Sequence, residues 1–131
     1  MPENVNVFPV ASATNVTDGG ATETVVLTVP NIDTTNNQGR VLITGIIAIT
    51  PGTSATAITV KIRRGTTTAG VEVGTADSQT GSATAPRIIP FHVEDQPGEV
   101  AGQSYVITVT ETSATADGTV SVVTASVVTH G

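Results

Sequence analysis

The run Arg-Val-Leu-Ile-Thr-Gly-Ile-Ile-Ala-Ile-Thr, residues 40–50, is the longest apolar stretch of the chain and constrains its fold more than any other feature. Its β-branched residues and the mid-run Gly45 favour a strand over a helix. Gly39 on one side and Pro51-Gly52 on the other limit it to strand length. The alternating positions are apolar on both faces: Val41, Ile43, Ile47 and Ile49 on one, Leu42, Ile46 and Ala48 on the other. We therefore predict a central strand within a packed sheet.

The composition supports an all-β domain with a neutral surface. Only 12% of the 131 residues are charged, against 38% that are hydrophobic, and Thr and Val dominate while strong helix formers are scarce. A chain of this length fits one domain with a core of its own. We expect almost no helix, and we expect Ile43 and Ile47 to be buried beneath an opposite sheet.

Eight segments have the pattern of a strand, bounded by turn residues. They are residues 5–10, 22–29, 40–50, 58–63, 70–75, 88–93, 103–112 and 119–129. Eight strands without helices predict a single-domain antiparallel β-sandwich, and the count favours an eight-stranded jelly roll over a seven-stranded immunoglobulin-like domain. The turn residues Asp117-Gly118 predict that the last two strands pair as a hairpin.

The N-terminal part of the chain is predicted to differ from the rest. Pro9 interrupts the first strand, which suggests an edge strand or an arm that lies on another surface, and residues 11–21 have loop composition. We divide the chain into an arm with first strand and loop, residues 1–20, and a sandwich domain, residues 21–131. Val5, Val7 and Phe8 are the candidate interaction residues. The first residues do not have the pattern of a signal peptide, so we expect the start of a soluble protein.

Charge and composition exclude several classes of partner. The net charge is −6 and the five basic residues are scattered, so a phosphate backbone is an unlikely ligand. No run approaches the roughly 20 apolar residues of a membrane span. The chain has no cysteine, which excludes disulfides and thiolate metal sites.

The sequence offers no catalytic constellation. His92 and His130 are the only histidines, and His92 alternates with apolar neighbours as on the polar face of a strand. A metal centre built on several imidazoles is therefore excluded. No serine stands in a Gly-x-Ser-x-Gly motif. We predict neither an enzyme nor a bound cofactor.

Carboxylates are the one group that the topology could gather. In an antiparallel sandwich, Asp33 and the loop with Glu94, Asp95 and Glu99 should lie at the same end. Ca²⁺ accepts such oxygens, and Asp33, Asp95 and Glu99 would then be its ligand candidates. The alternating Asp/Asn pattern of a dedicated calcium loop is missing, which favours a solvated acidic rim and no metal site.

Two segments carry a resemblance to a known group of proteins. They are the run PFHVEDQPGEVAGQSYVITV, residues 90–109, and ITVKIRRG, residues 58–65. Both resemble small β-sandwich structural proteins of bacteriophage and related virus particles. The resemblance implies jelly-roll subunits, often trimeric, that cement or decorate a capsid or form its spikes. The basic arm with which many shell proteins hold a genome is missing, which disfavours a shell role in contact with nucleic acid.

Our hypothesis from the sequence is a non-enzymatic structural virion protein on the capsid exterior. It would be soluble before assembly, form a homotrimer, dock on a major capsid or other shell protein, and contact neither nucleic acid nor membrane. The alternative is a spike or fibre-type module that recognises a host surface glycan. An enzyme is the third and weakest hypothesis, because no catalytic cluster is visible.

Overall fold

The computed structural model describes residues 5–35, 39–78 and 85–130, and in these ranges the regular elements are eight β-strands and no helix. The strands are β1 (Val5–Thr17), β2 (Thr24–Ile32), β3 (Arg40–Thr50), β4 (Ala57–Arg64), β5 (Glu72–Ser78), β6 (Arg87–Asp95), β7 (Gln103–Thr112) and β8 (Thr119–His130). The described residues thus offer no helix that could cross a membrane.

The strands form two antiparallel four-stranded sheets that pack face to face. One has the order β1-β8-β3-β6 and is called here the β3 sheet; the other has the order β2-β7-β4-β5 and is called the β4 sheet. The chain crosses between the sheets at every connection except that from β4 to β5. This is the double Greek-key arrangement of a jelly roll, which confirms the predicted fold class.

The predicted hairpin between the last two strands is wrong. β7 pairs with β2 and β4, whereas β8 pairs with β1 and β3 in the other sheet. The turn at Asp117-Gly118 does reverse the chain, but it carries it from one sheet to the other. Both strands have a continuous buried face, and each satisfies its backbone on two sides as a central strand.

The first strand is longer than predicted. Residues 11–17, expected in a loop, continue β1 and pair with β8. The register shifts between Phe8 and Ala11, and a similar shift interrupts β2 between Val29 and Ile32. Each interval contains a proline, Pro9 or Pro30, which has no N–H to donate to the ladder. A bulge lets each strand continue past its proline, where the sequence predicts an interruption of β1 and the end of β2.

The core fills the space between the sheets and confirms the central-strand prediction. Ile43 and Ile47 on β3 are completely buried, and Ile58 and Ile62 from the β4 sheet are equally inaccessible. Burying such a side chain is worth about 1.5–3 kcal/mol. Gly45 lies between the two β3 isoleucines on the same face, where a Cβ would overlap Thr124 O and lie 2.6 Å from the Phe91 ring. Glycine therefore makes room for the aromatic ring opposite it on β6.

Candidate interaction surface

The outer face of the β3 sheet exposes apolar side chains. Ile88 is 71% exposed and Ile46 is 40% exposed. Residues that pair across strands share a face of the sheet, and the register places both isoleucines in adjacent rows. The rows are Ile88, Ala48, Val122 and Thr14, and beside it Pro90, Ile46, Thr124 and Ser12. These two rows, which cross all four strands, are called here the outer patch.

The outer patch contains no charged residue. The next row on the same face, formed by His92, Thr44 and Ser126, is polar, and Glu94 opposite Leu42 brings the first carboxylate. His92 is exposed there, as the sequence predicted for a polar strand position. A chain with net charge −6 therefore has one broad face where copies would meet with little repulsion.

The outer face of the β4 sheet is built differently, around an ion pair. Arg63 Nε donates to Glu23 Oε2 at 2.6 Å and Arg63 Nη2 donates to Oε1 at 2.9 Å. Thr108 Oγ1 also donates to Glu23 Oε2, at 2.7 Å, and Arg63 Nη1 donates to Gly70 O at 2.9 Å. The hydrogen bonds from Arg63 are the main reason that the pKa of Glu23 lies below its ordinary value. The Glu23 carboxylate and the Arg63 guanidinium are thus both held by groups of the same chain.

A second ion pair joins the two sheets at one end of the sandwich. Arg64 on β4 donates to Asp95 on β6, from Nε to Oδ2 at 2.7 Å and from Nη2 to Oδ1 at 2.6 Å. The Tyr105 hydroxyl on β7 donates to Asp95 Oδ2 at 2.7 Å. Burial alone would raise the pKa of Asp95, but these hydrogen bonds outweigh it and hold the pKa below its ordinary value. Burial in turn raises the pKa of Tyr105.

The pair borders a polar cleft of about 480 Å³. Its lining residues are Arg40, Val41, Arg64, Glu94, Asp95 and Gln96. Because both oxygens of Asp95 already accept hydrogen bonds, the carboxylate acts here as a link between the sheets.

The loops with Asp33 and Glu99 do meet at this end. Thr34 N donates to Val100 O at 2.9 Å, and Thr34 Oγ1 donates to Gly98 O at 2.6 Å. The predicted acids do not converge on one point, since Asp33 accepts hydrogen bonds from Thr35 and Asp95 is bound by Arg64. Among the described residues, no group of three or more His, Asp or Glu side chains could hold a metal ion.

The candidate interaction residues Val5, Val7 and Phe8 lie on β1. Their backbone pairs with His130, Val128 and Val127 of β8 in the same chain, at the edge of the β3 sheet. Their side chains, and that of His130, lie outside what the structure describes. Their role in an interface therefore stays a prediction.

The outer patch was only partly visible in the sequence. The sequence showed the second apolar face of residues 40–50, but the residues that extend it on β6 and β8 follow from strand register alone. The ion pairs could not be anticipated either, because Glu23 and Arg63, or Arg64 and Asp95, are distant in sequence.

Comparison with known proteins finds likeness in structure only. No family model and no curated protein matches the sequence. A solved Bacillus endospore appendage is 15% identical with a TM-score of 0.50, covering 98% of this chain and 90% of that one. A chain of the T13 infectious bursal disease virus particle is 11% identical with a TM-score of 0.62, covering 97% of this chain and 31% of that one.

A third similar structure, Eiger TNF from S. frugiperda, is 10% identical with a TM-score of 0.55 and covers 98% of this chain and 93% of that one. This chain thus spans about a third of the viral chain and most of the other two. At such identities the comparisons establish a common β-sandwich fold.

Proposed function

We propose that the chain is a non-enzymatic structural subunit of a virus particle, which decorates or cements the capsid by self-association and by docking on a shell protein. The outer patch is the observation that carries this proposal. It presents Ile46 and Ile88 in two rows without a charged residue, whereas the opposite face carries the Glu23–Arg63 ion pair. The similarity of the fold to a chain of a virus particle and to an endospore appendage supports a role in assembly.

Association through the outer patch is favoured by its exposed apolar side chains and by its lack of charge. Apolar surface removed from water contributes about 25 cal/mol per Å². The overall charge of −6 disfavours contacts elsewhere on the surface, so identical subunits meet best on the neutral face. A closed ring hides identical patches without open-ended growth, and we propose a homotrimer.

The N-terminal strand supplies a second contact in this proposal. Among the described residues β1 pairs with β8 alone, which makes it an edge strand of the β3 sheet. Edge strands readily add a strand or an extended segment from another chain. Residues 1–20 would form the contact segment, with Val5, Val7 and Phe8 as apolar anchors on a neighbour or on the shell, and residues 21–131 the rest of the sandwich.

Recognition of a glycan has less support. Aromatic side chains commonly provide stacking surfaces for ligands, but Phe91 is 5% exposed and Tyr105 is completely buried. Both therefore belong to the core, and neither offers a platform to a sugar ring.

Sedimentation equilibrium on matched charge variants tests self-association. Ile46→Lys places a cation in the outer patch, and Thr59→Lys places the same cation on the outer face of the β4 sheet. We expect the wild type and Thr59→Lys to be trimers at micromolar concentration and Ile46→Lys to be a monomer. A monomeric wild type, or equal dissociation of both variants, would contradict the proposed interface.

Quantification of the protein in purified particles tests its place in the virion. A fixed copy number in proportion to a shell protein, with the chain accessible to added protease, is expected of an exterior decoration or cement protein. Low copy number confined to a vertex or tail would instead indicate the spike role, and absence from particles would exclude both.

A further inference from the structure

Two carboxyl groups are buried together at the end of the sandwich opposite Asp95. Asp18, between β1 and β2, is 2% exposed, and Glu111 on β7 is completely buried. Asp18 Oδ1 accepts hydrogen bonds from Gly20 N at 2.8 Å and Gly118 N at 3.0 Å. Glu111 Oε2 accepts one from Gly52 N at 2.6 Å. Three loops and a strand end are thus joined through two side chains.

Each carboxyl group has one oxygen left over. Asp18 Oδ2 and Glu111 Oε1 are both buried and have no hydrogen-bond partner among the described residues. They lie against the same glycine, because a Cβ on Gly118 would overlap Glu111 Oε1 and lie 2.9 Å from Asp18 Oδ2. Buried polar atoms are normally satisfied, so this pair requires an explanation.

We infer that Asp18 and Glu111 share a single proton, in a hydrogen bond between Oδ2 and Oε1 that fastens this end of the sandwich and is lost when the pair ionises fully. One proton satisfies both unpartnered oxygens at once. It also avoids two adjacent buried negative charges, which would be strongly unfavourable without a basic partner.

A bound cation fits this site less well. Ca²⁺ takes 6–8 oxygen ligands at 2.3–2.6 Å. Beside the two free carboxyl oxygens, the nearest atom to the Cβ position of Gly118 is one backbone oxygen, Thr50 O at 2.8 Å. The carboxyl atoms in question are closed off from solvent, which would have to supply the remaining ligands as water.

The surroundings of Glu111 favour the protonated form. Burial, the adjacent Asp18 carboxyl group and the charge of Asp117 raise the pKa of Glu111 to about 7, against an opposing contribution from Gly52 N–H. Ile58, opposite Glu111 on β4, and Thr50 on β3 bring no ionisable group. Asp117 is thus the remaining charge that faces the pair.

The sign of the pH dependence follows from this raised pKa. An unfolded glutamic acid titrates near its ordinary pKa of 4.5, so the folded chain holds the extra proton between about pH 4.5 and 7. The contribution to stability is complete below pH 4.5, falls as pH rises through this window, and is gone above about pH 7. The link would therefore loosen towards alkaline pH.

Thermal unfolding from pH 5 to pH 8 tests the shared proton, with Glu111→Gln as the key variant. The amide N–H₂ replaces the proton, and the amide oxygen keeps the bond from Gly52 N. We expect the wild-type Tm to fall by about 5–10 °C across the range. Glu111→Gln should lack this fall and be the more stable protein at pH 8. Glu99→Gln, at an exposed carboxylate, should follow the wild type.

A double-mutant cycle sharpens the test. Asp18→Asn should also remove the pH dependence, because its amide N–H₂ can donate to Glu111 Oε1. In Asp18→Asn/Glu111→Gln two amide N–H₂ groups would face each other, since both amide oxygens are held by backbone N–H groups. The double variant should therefore melt below both single variants. Additive effects would contradict the shared proton.

Carboxyl ¹³C NMR gives a second readout that needs no variant. Glu111 should titrate near pH 7 in the folded wild type, and the protection factors of the Gly52 and Gly118 amide protons, corrected for the intrinsic rise of exchange with pH, should fall in the same range. Titration of Glu111 near its ordinary pKa would overturn the inference. A Tm that rises with Ca²⁺ and falls with EDTA, together with destabilisation of both single variants at every pH, would overturn the shared proton and show that a cation is bound between the two carboxylates.

Discussion

The two outer faces of the sandwich differ in the side chains that they expose to solvent. On the β4 sheet, Arg63 binds Glu23 and Glu23 accepts a further bond from Thr108, so this pair of opposite charges is satisfied within the chain. On the β3 sheet, the outer patch has no ionisable group and exposes Ile46 and Ile88. The outer face of the β4 sheet is therefore suited to contact with water, whereas the outer patch of the β3 sheet is suited to contact with another protein surface.

Adjacent residues on β3 provide the sharpest test of this contrast. Ile47→Ala removes a fully buried side chain and should cost about 2–5 kcal/mol. Ile46→Ala, one position away on the 40% exposed side, should cost the dilute monomer only about 0.5 kcal/mol. Urea unfolding of both variants measures the difference. Equal losses would mean that the outer face of β3 is as fully packed as its inner face.

The link between the sheets is expected to give the next largest effect. Asp95→Asn replaces an acceptor for Arg64 and Tyr105 whose side chain is 6% exposed, and should cost about 1–3 kcal/mol at pH 7. Asp33→Asn, at an exposed carboxylate that accepts hydrogen bonds from Thr35 two residues on, is the matched control.

The lowered pKa of Asp95 predicts that the free energy of unfolding falls at acid pH. The pKa of Asp95 lies below its ordinary value of 3.8, so its contribution is present above pH 3.8 and is lost as pH falls through the lowered pKa. Wild-type stability should decline there more steeply than that of Asp95→Asn. Parallel curves would show that the ion pair does not stabilise the fold.

The ion pair on the outer face of the β4 sheet should contribute less. Glu23→Gln weakens the bonds from Arg63 and should cost about 1 kcal/mol, since the two side chains are only partly buried, 15% exposed for Arg63 and 20% for Glu23. Salt screens such pairs, because the Debye length falls to about 3 Å at 1 M ionic strength. The difference in stability from wild type should therefore shrink between about 0.05 and 1 M NaCl. A difference independent of salt would indicate lost packing instead.

The smallest effect is expected at the most exposed residue of the outer patch. Ile88→Ser should change the free energy of unfolding of dilute protein by less than about 0.5 kcal/mol. Its Tm should nevertheless lose the rise with protein concentration that an associating wild type shows. A concentration-independent Tm in both proteins would mean that the patch is not an interface.

Strand positions and buried residues could be predicted where apolar and polar residues alternate clearly. β3 and β7 have the predicted bounds, and Ile43 and Ile47 are buried as expected, because a period of two with β-branched residues is specific for strands. The loop predicted for residues 11–17 is wrong because small polar residues do not distinguish an edge strand from a turn. The pairing of β7 and β8 was missed because turn residues reverse a chain without selecting its partner strand.

The buried acid pair illustrates what lies beyond the sequence. Asp18 stands in an Asp-Gly-Gly turn and Glu111 at the end of a Thr-rich strand, and both look like solvent-exposed residues. Asp18 and Gly118, which are 100 positions apart, meet only after both sheets have formed. No local sequence pattern indicates such a contact. The apolar second face of β3, in contrast, can be identified from the alternation within residues 40–50 alone.

The strand order has a consequence for how the chain acquires this structure. Of the six strand pairings in the described residues, only that of β4 with β5 joins consecutive strands. Loop-closure entropy must be overcome before distant pairings stabilise one another, and all-β domains of this kind fold on millisecond-to-second timescales. The β4–β5 hairpin can form first, while β1 finds its place only after β8 has been made. During synthesis, β1 therefore has no pairing partner until β8 has been made. Until then its apolar residues are accessible to other chains.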